Sequence, residues 1–382
     1  MMAPPSICFL GLGNLPALAP EYAGHGAGGA ELQQILLARG LARRGWPVSM
    51  IVADHGQPEE GAWEGIKTYK AYRPDEGIPL IRFLHPRWTK LRSALQRARA
   101  DIYYTSCAGA QVAQAALYAR ARGCKLVFRV ASDSDCDPRT LLVRYWRDRK
   151  LYGFGLKRAD LVLAQTPAQQ QALEQNFGVS SVVIEPLFEA AGRRPPFEAR
   201  DIAALWVGNL RPLKRPGLFL EAAARLSHLG FHMIGGPMPG EESFFAQVRQ
   251  RAATLPNVTF HGFVPHQRIG EYFERARVLV STSQTEGFPN TYLQAWSRGT
   301  PVIAFIDPQQ LIASQGLGIV PRSAHELDAA IAKLAGEAEP WQAASARSRR
   351  YIDARADEHT IGRYAAALAG LLRPSGAERQ AA

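Results

Sequence analysis

The feature that most limits this chain is an alternation that runs through it twice: short apolar, β-rich runs separated by Ala-, Leu- and Arg-rich stretches of helical periodicity. A strand that is apolar along its whole length needs cover on both faces, and the helices between successive strands supply it, so the pattern predicts parallel sheets of the α/β class. Strands are expected at 7–13, 48–53, 101–106, 125–132 and 161–166 in the first half, and at 204–209, 231–236, 257–262, 277–282 and 300–305 in the second. Between the first two, ELQQILLARGLARRG (31–45) reads as a helix stopped at Gly45. At 382 residues the chain exceeds what one core usually serves, and two domains of about 150 to 200 residues follow. The first is expected over 1–186 and the second over 203–355, joined by a linker at 187–202 that carries paired prolines and no periodicity. The tail from Trp341 reads as helical, and its last part, 356–373, is expected to pack back on the first domain.

Composition narrows the class further. No run approaches the roughly 18 apolar residues that span a bilayer, and the start, MMAPPSICFLGLGN, lacks a basic n-region, so a cytoplasmic location is expected. Cys8, Cys107, Cys124 and Cys136 have neither CxxC pairing nor histidine spacing, which argues for buried or incidental thiols over a disulfide or a zinc site. Charge is the uneven property. The net charge is +11, and residues 82–158 alone carry 17 Lys+Arg against 5 Asp+Glu. There HPRWTKLRSALQRARA (85–100) and RYWRDRKLYGFGLKR (144–158) interleave aromatic residues with cations, as on surfaces that face anionic membranes or nucleic acid, and as on a merely solvated face.

The stretch EGFPNTYLQAWSRGTPVIAF (286–305) carries the chemistry. It follows a buried strand, ARVLVSTSQ (276–284), and joins an acid, Glu286, to a tight turn at Gly287 and a helix with Pro289 in its first turn. The backbone N–H groups there are suited to an anion such as phosphate. Near the N-terminus, GLGNLP (11–16) and GHGAGG (24–29) fail as dinucleotide fingerprints: Pro16 stands where the third glycine belongs, and the second run lies too far from its strand. A glycine-rich loop with Gly28 and Gly29 feeding a helix remains, open to a phosphate or sugar, or to the plain role of a connection.

Three segments together, GGAELQQILLARGLARRGWPVSMIV, VGNLRPLKRPGLFLEAAARL and EGFPNTYLQAWSRGTPVIA, resemble the family 4 glycosyltransferases over nearly the whole chain. The resemblance implies the GT-B fold: two Rossmann-like α/β domains facing across a cleft, the second holding a nucleotide-sugar such as a UDP- or GDP-hexose and the first the acceptor. It also implies transfer with retention of configuration, without metal or cofactor. The leaving phosphate oxygen would itself help take the acceptor proton, so no nucleophile–base pair is expected.

Carried over residue by residue, Lys214 matches the lysine on the donor diphosphate, in a loop begun by Gly208. Asn209 stands where the family has an arginine, and Arg211 could supply that charge or serve only the surface. Glu286 matches the acid on the donor sugar hydroxyls, while Gly287, Phe288, Asn290 and Thr291 match the phosphate loop. Gln294 replaces the second acid, eight residues on; its carbonyl can still accept a ribose O–H. The alternative for Gln294 is a polar residue on an exposed helix face. Gly235, Gly236, Phe263 and Val264 resemble the loops that frame the nucleoside.

In the first domain the family's histidine is replaced by Ser132, followed by Asp133. The run DSDCD (133–137) is no EF-hand, since Pro138 and Arg144 stand where glycine and glutamate belong. Ser132, Asp133 and Asp135 are read as acceptor or sugar contacts, with Asp133 near the reaction centre, against the alternative of a helix N-cap. His25, His232, His261 and His266 are read as structural.

The expected activity is transfer of a hexosyl unit to a hydroxyl acceptor, a saccharide or lipid-linked oligosaccharide in surface polysaccharide assembly, with residues 82–158 resting on an anionic inner membrane face. The alternatives are a sugar-nucleotide epimerase or a non-catalytic sensor of the same fold. A basic nucleic-acid-binding protein is the reading from another class; no recognition motif supports it and no nucleic-acid partner is expected.

Overall fold

Ile7–Leu10 (β1) is buried on both faces, as its unbroken apolar sequence requires. In the computed structural model, which describes residues 4–26, 28–78, 81–189, 192–238, 240–355 and 357–372, this strand lies near the middle of an eight-stranded sheet. Its neighbours are Val48–Val52 (β2) and Ile102–Ser106 (β5), both parallel to it. Beyond β2 come Glu60–Trp63 (β3) and Ile66–Lys70 (β4), and beyond β5 come Lys125–Arg129 (β6), Leu161–Ala164 (β7) and Val182–Val183 (β8), giving the order β3-β4-β2-β1-β5-β6-β7-β8.

The helices of this unit are Leu15–Leu18 (α1, a single turn), Gly29–Arg43 (α2), Thr89–Ala98 (α3), Ala110–Arg122 (α4), Trp146–Leu156 (α5) and Pro167–Phe177 (α6). Local chemistry sets several of their ends. Thr166 caps α6 by accepting from the Gln169 N–H at 3.1 Å, with Pro167 in the first turn, and Gly178 ends it in the left-handed conformation at φ 64°. Gly45, just past α2, has φ 79°.

The hairpin β3–β4 and the short β8 are not in the sequence expectation. β3 is half exposed and polar, so it lacks the apolar signature of strands such as β1 and β2, and among the described residues it is the one antiparallel member. Its turn, Glu64–Gly65, has φ of 52° and 78°, the pair of positive values that a two-residue hairpin needs.

A second sheet of six parallel strands contains Ile202–Val207 (β9), Phe231–Ile234 (β10), Val258–Gly262 (β11), Ala276–Ser281 (β12), Val302–Ala304 (β13) and Gly318–Ile319 (β14), in the order β11-β10-β9-β12-β13-β14. Its helices are Pro216–Arg225 (α7), Glu242–Ala253 (α8), His266–Arg275 (α9), Asn290–Ser297 (α10), Leu311–Gln315 (α11), Ala324–Gly336 (α12) and Ala338–Asp353 (α13). The last helix of the chain, Asp357–Gly370 (α14), belongs with the first sheet: the chain divides into Met1–Leu187 plus Asp357–Ala382, and Phe188–Ala356. The helical tail read from Trp341 is therefore two helices in different units, the second starting on Asp357 and Glu358, acids suited to a helix N-terminus.

In the first unit, α14 places Ile361, Tyr364 and Leu368 in the core with Phe9, Ile35 and Leu41. Gly40 allows this approach, because a Cβ there would lie 2.6 Å from Ile361 Cδ1. Beneath it Arg129 is buried with no carboxylate partner among the described residues: it donates to the Tyr364 hydroxyl at 3.1 Å and to Gln33, whose amide also bonds both the N–H and the carbonyl of Leu187. The second unit has its own core on the two faces of its sheet, with Phe219, Phe231 and Trp341 on one and Phe273, Tyr292 and Trp296 on the other.

Candidate functional site

In the second sheet β9 and β12 are neighbours, while β10 lies beyond β9 and β13 beyond β12, so the strand order reverses between them. Loops leaving the carboxyl ends of two such strands diverge and open a crevice, the usual ligand position in an open α/β sheet. Lys214 lies on the loop after β9 and Glu286 on the loop after β12. Their side chains form an ion pair, each largely buried, with the ammonium held against Glu286 Oε1.

The two loops are laced together by residues that the sequence reading passed over. The Thr282 hydroxyl donates to the Lys214 carbonyl at 2.7 Å and accepts from the Trp206 indole at 3.0 Å. Arg215, left-handed at φ 46°, donates to the carbonyls of Thr282 and Ser283 at 2.7 and 3.2 Å, and Gln284 N–H donates to the Leu213 carbonyl at 2.8 Å. Arg215 and Thr282 thus fix where Lys214 and Glu286 stand. No spacing in the sequence announces them, because each acts on backbone groups that only the adjacency of β9 and β12 brings within reach.

The glycines around the loop earn their place through backbone approach. Gly208 N–H bonds the Ile234 carbonyl at 3.0 Å, Leu210 N–H that of Gly236 at 3.1 Å, and Gly235 N–H that of Gly262 at 2.9 Å. A Cβ on Gly235 would sit 2.3 Å from the Gly208 carbonyl oxygen, and one on Gly236 3.2 Å from Phe263 Cβ. Val264 is buried and Phe263 exposed. Asn209 and Arg211 are partly exposed, and Arg211 has no ion-pair partner among the described residues.

The loop 286–291 departs in detail from its expected form. β12 ends at Ser281, short of the expected 284, so Glu286 stands five residues past the strand. Gly287 is buried and makes the turn outside the left-handed region. Pro289, at ψ 122°, is the N-cap of α10 and not a residue of its first turn. The Tyr292 N–H already donates to the Pro289 carbonyl at 3.1 Å, which takes it out of the anion-binding set expected at the start of α10. Phe288 is buried in the core with Tyr292 and Trp296. Gln294 is buried as well, which removes the exposed-face alternative, and its side-chain amide has no hydrogen-bond partner among the described residues.

The first unit holds the remaining expected residues. Gly28 is the N-cap of α2 and Gly29 its first residue. The Glu31 carboxylate curls over that end: Cβ atoms on Gly13 and Gly28 would lie 2.8 and 2.5 Å from its two oxygens. An acid at this position complements the helix dipole where an anion was expected. Ser132 caps a short helical turn over Asp133–Cys136, in a capping box with Asp135. Asp135 Oδ2 accepts from the N–H groups of Ala131 and Ser132 at 3.0 and 3.2 Å, and burial pushes this carboxyl up to about 6 despite those donors. Its side chain is thus taken up by the local turn, the N-cap alternative. Asp133 is exposed and accepts from Gln169 at 2.8 Å, while Asp137 pairs with Arg139. The three acids diverge, and among the described residues no group of three His, Cys, Asp or Glu is placed to hold a metal ion.

Two histidines of the second unit face each other, His261 Nε2 and His232 Nδ1 being 2.9 Å apart, with the Tyr272 hydroxyl 3.5 Å from His261 Nδ1. His266 lies 3.5 Å from Glu189, and the side chain of His25 is outside the described residues.

Two family models match the chain in succession: "Glycosyltransferase Family 4" over residues 27–189 and "Glycosyl transferases group 1" over 202–337. The chain belongs to the GT-B glycosyltransferases of family 4. Among relatives, it is 30% identical over 170 residues to a D-inositol 3-phosphate glycosyltransferase of Geodermatophilus obscurus, covering 38% of each chain. A protein of the same description from Kribbella flavida is 32% identical over 142 residues, covering 34% of this chain and 33% of that one. The chain thus spans well under half the length of these curated relatives. Solved structures match over nearly the full length. Anabaena HepE in complex with UDP and glucose superposes with a TM-score of 0.73 at 18% identity, covering 96% of this chain and all of that one. WaaG, a glycosyltransferase involved in lipopolysaccharide biosynthesis, superposes with a TM-score of 0.69 at 15% identity, covering 94% and 98%. These likenesses establish the fold of this family member.

Proposed function

We propose that the chain transfers a hexosyl unit from a nucleotide-sugar, such as a UDP- or GDP-hexose, to a hydroxyl acceptor, with retention of configuration and without metal or cofactor. The observation that carries this reading is the Lys214–Glu286 pair at the reversal of strand order in the second sheet. The two charges satisfy each other. A donor would part them: its diphosphate takes the Lys214 ammonium, which offsets the charge that grows on the leaving phosphate as the bond to the sugar breaks, and its sugar hydroxyls donate to Glu286. Asn290 and Thr291 at the start of α10 would flank the phosphate, the Gln294 amide would take a ribose hydroxyl, and Gly235, Gly236, Phe263 and Val264 would border the base. For the acceptor, Asp133 is the exposed acid of the first unit. The structure of HepE with UDP and glucose supports a nucleotide-sugar donor by likeness of fold. For the acceptor we propose a saccharide on a lipid carrier, in surface polysaccharide assembly, at the inner membrane face.

Thermal-shift measurements against UDP, GDP, ADP and their sugars test the donor site. One nucleoside diphosphate should raise the melting temperature of the second unit, and Lys214→Ala should abolish that rise. An undiminished shift in the variant would sink the placement of the site. The uncharged Gln294 favours one competing reading, a sensor that binds the donor without turning it over; slow hydrolysis of the donor sugar by the wild-type chain counts against it.

A further inference from the structure

The aromatic and basic stretches of the first unit meet in space. The Arg147 guanidinium at the start of α5 stacks 3.6 Å from the centre of the Phe83 ring, and Phe83 packs 5.8 Å from Trp88 at the start of α3. On this joined surface large apolar side chains face solvent: Trp146 is 76% exposed, Leu142 64%, Leu84 63% and Ile81 53%, with Tyr145 beside them. Of the ten large hydrophobic residues exposed among the described residues, six lie on 78–84 and 142–146. Single exposed apolar residues need no explanation, whereas a cluster on two touching segments does. Cations accompany it in the same stretches of chain. Arg82, Arg92, Arg144 and Lys150 have no carboxylate partner among the described residues, in a region of net charge +12.

We infer that this surface, with Ile81, Leu84, Leu142, Tyr145 and Trp146 at its tip, docks on an anionic lipid bilayer. The chemistry selects that partner. Aliphatic side chains gain nothing against a sugar-phosphate backbone but are buried at the boundary between headgroups and acyl chains, where Trp and Tyr rings are also at home. Unpaired arginines and lysine around them attract anionic headgroups. A second copy of the chain would bring like charges together. The inference deepens the lipid-carrier reading and gives it a location, resting on that reading for its purpose and not for its evidence.

Flotation of the full chain with vesicles tests it, using phosphatidylcholine alone and phosphatidylcholine with one third phosphatidylglycerol. The chain should float with the anionic vesicles at low salt, remain behind with the neutral ones, and detach as salt rises. The double variant Leu142→Ser/Trp146→Ser should weaken anionic-vesicle binding by roughly tenfold or more with unchanged thermal unfolding, and Arg144→Glu/Lys150→Glu should do the same. Equal binding by wild type and both variants overturns the inference, as does failure to float with any vesicle. Binding to a DNA or RNA oligomer with vesicles ignored would assign the surface to nucleic acid instead. The nucleoside diphosphate thermal shift of the same samples reports the donor site separately, so a lost shift with intact flotation counts against the donor reading alone.

Discussion

At the scale of the residue, the donor loops are controlled by atoms that are absent as much as by those present. Gly235 passes so near the Gly208 carbonyl that a methyl group has no room, and the obstacle is backbone, which cannot swing aside. Gly235→Ala should therefore cost roughly 1–3 kcal/mol and shrink the nucleotide-induced thermal shift, because the displaced loop carries Lys214. Gly217 is the matched control. It lies in the first turn of α7 with nothing near its Cβ position, and alanine there should be neutral or stabilising by roughly 0.5–1 kcal/mol. Thermal unfolding of both variants checks the pair; equal effects would show that backbone approach is not what Gly235 serves. Lys214 and Glu286 were legible as residue types in the sequence, but their contact was not, since 72 positions separate them.

At the scale of the element, the sequence was read most accurately where strands are apolar throughout and least where they are not. β1, β2, β5 and β9 lie within a few residues of the expected positions, while β3, half exposed and joined to β4 by a Glu-Gly turn, gave no such signal. The acids after β6 could be read from sequence either as acceptor contacts or as a helix N-cap, and the structure shows a capping turn that draws Asp135 inward, leaves Asp133 exposed and pairs Asp137 with Arg139.

On β10 and β11 the facing histidines yield a pH prediction. Burial, then the His261 charge and Arg275, lower His232 to about 4, with Asp201 opposing them, and burial with Arg275 lowers His261. A base whose folded value lies below its unfolded value near 6.5 lets the unfolded chain take up the proton first, so the stability from the neutral pair is present above about pH 6.5 and is lost as pH falls toward 4. The unfolding midpoint of the wild type should drop further between pH 7 and pH 5 than that of His232→Gln. Parallel profiles in chemical denaturation would refute the assignment.

At the scale of the whole molecule, α14 returns to the first unit and is built into its core rather than laid on its surface. Leu368 is fully buried among residues of that core. Leu368→Ala should lower the stability of the unit by about 2–5 kcal/mol in urea unfolding, and a loss below about 1 kcal/mol would show that the helix contributes little. No helix among the described residues is long and apolar enough to cross a membrane.

The amino-acid sequence by itself determined two predominantly parallel α/β sheets, because apolar strands alternating with amphipathic helices can bury their faces in few other ways. It also supplied the residue types of a phosphate-facing loop. The tertiary structure decided which of them meet. Strand order places Lys214 beside Glu286, a capping turn draws Asp135 inward, and one arginine on an aromatic ring joins two basic segments into a single surface. The physical reason is the same in each case: propensity and periodicity act over a few residues, whereas these contacts depend on sheet adjacency and loop crossing, which the whole chain fixes at once.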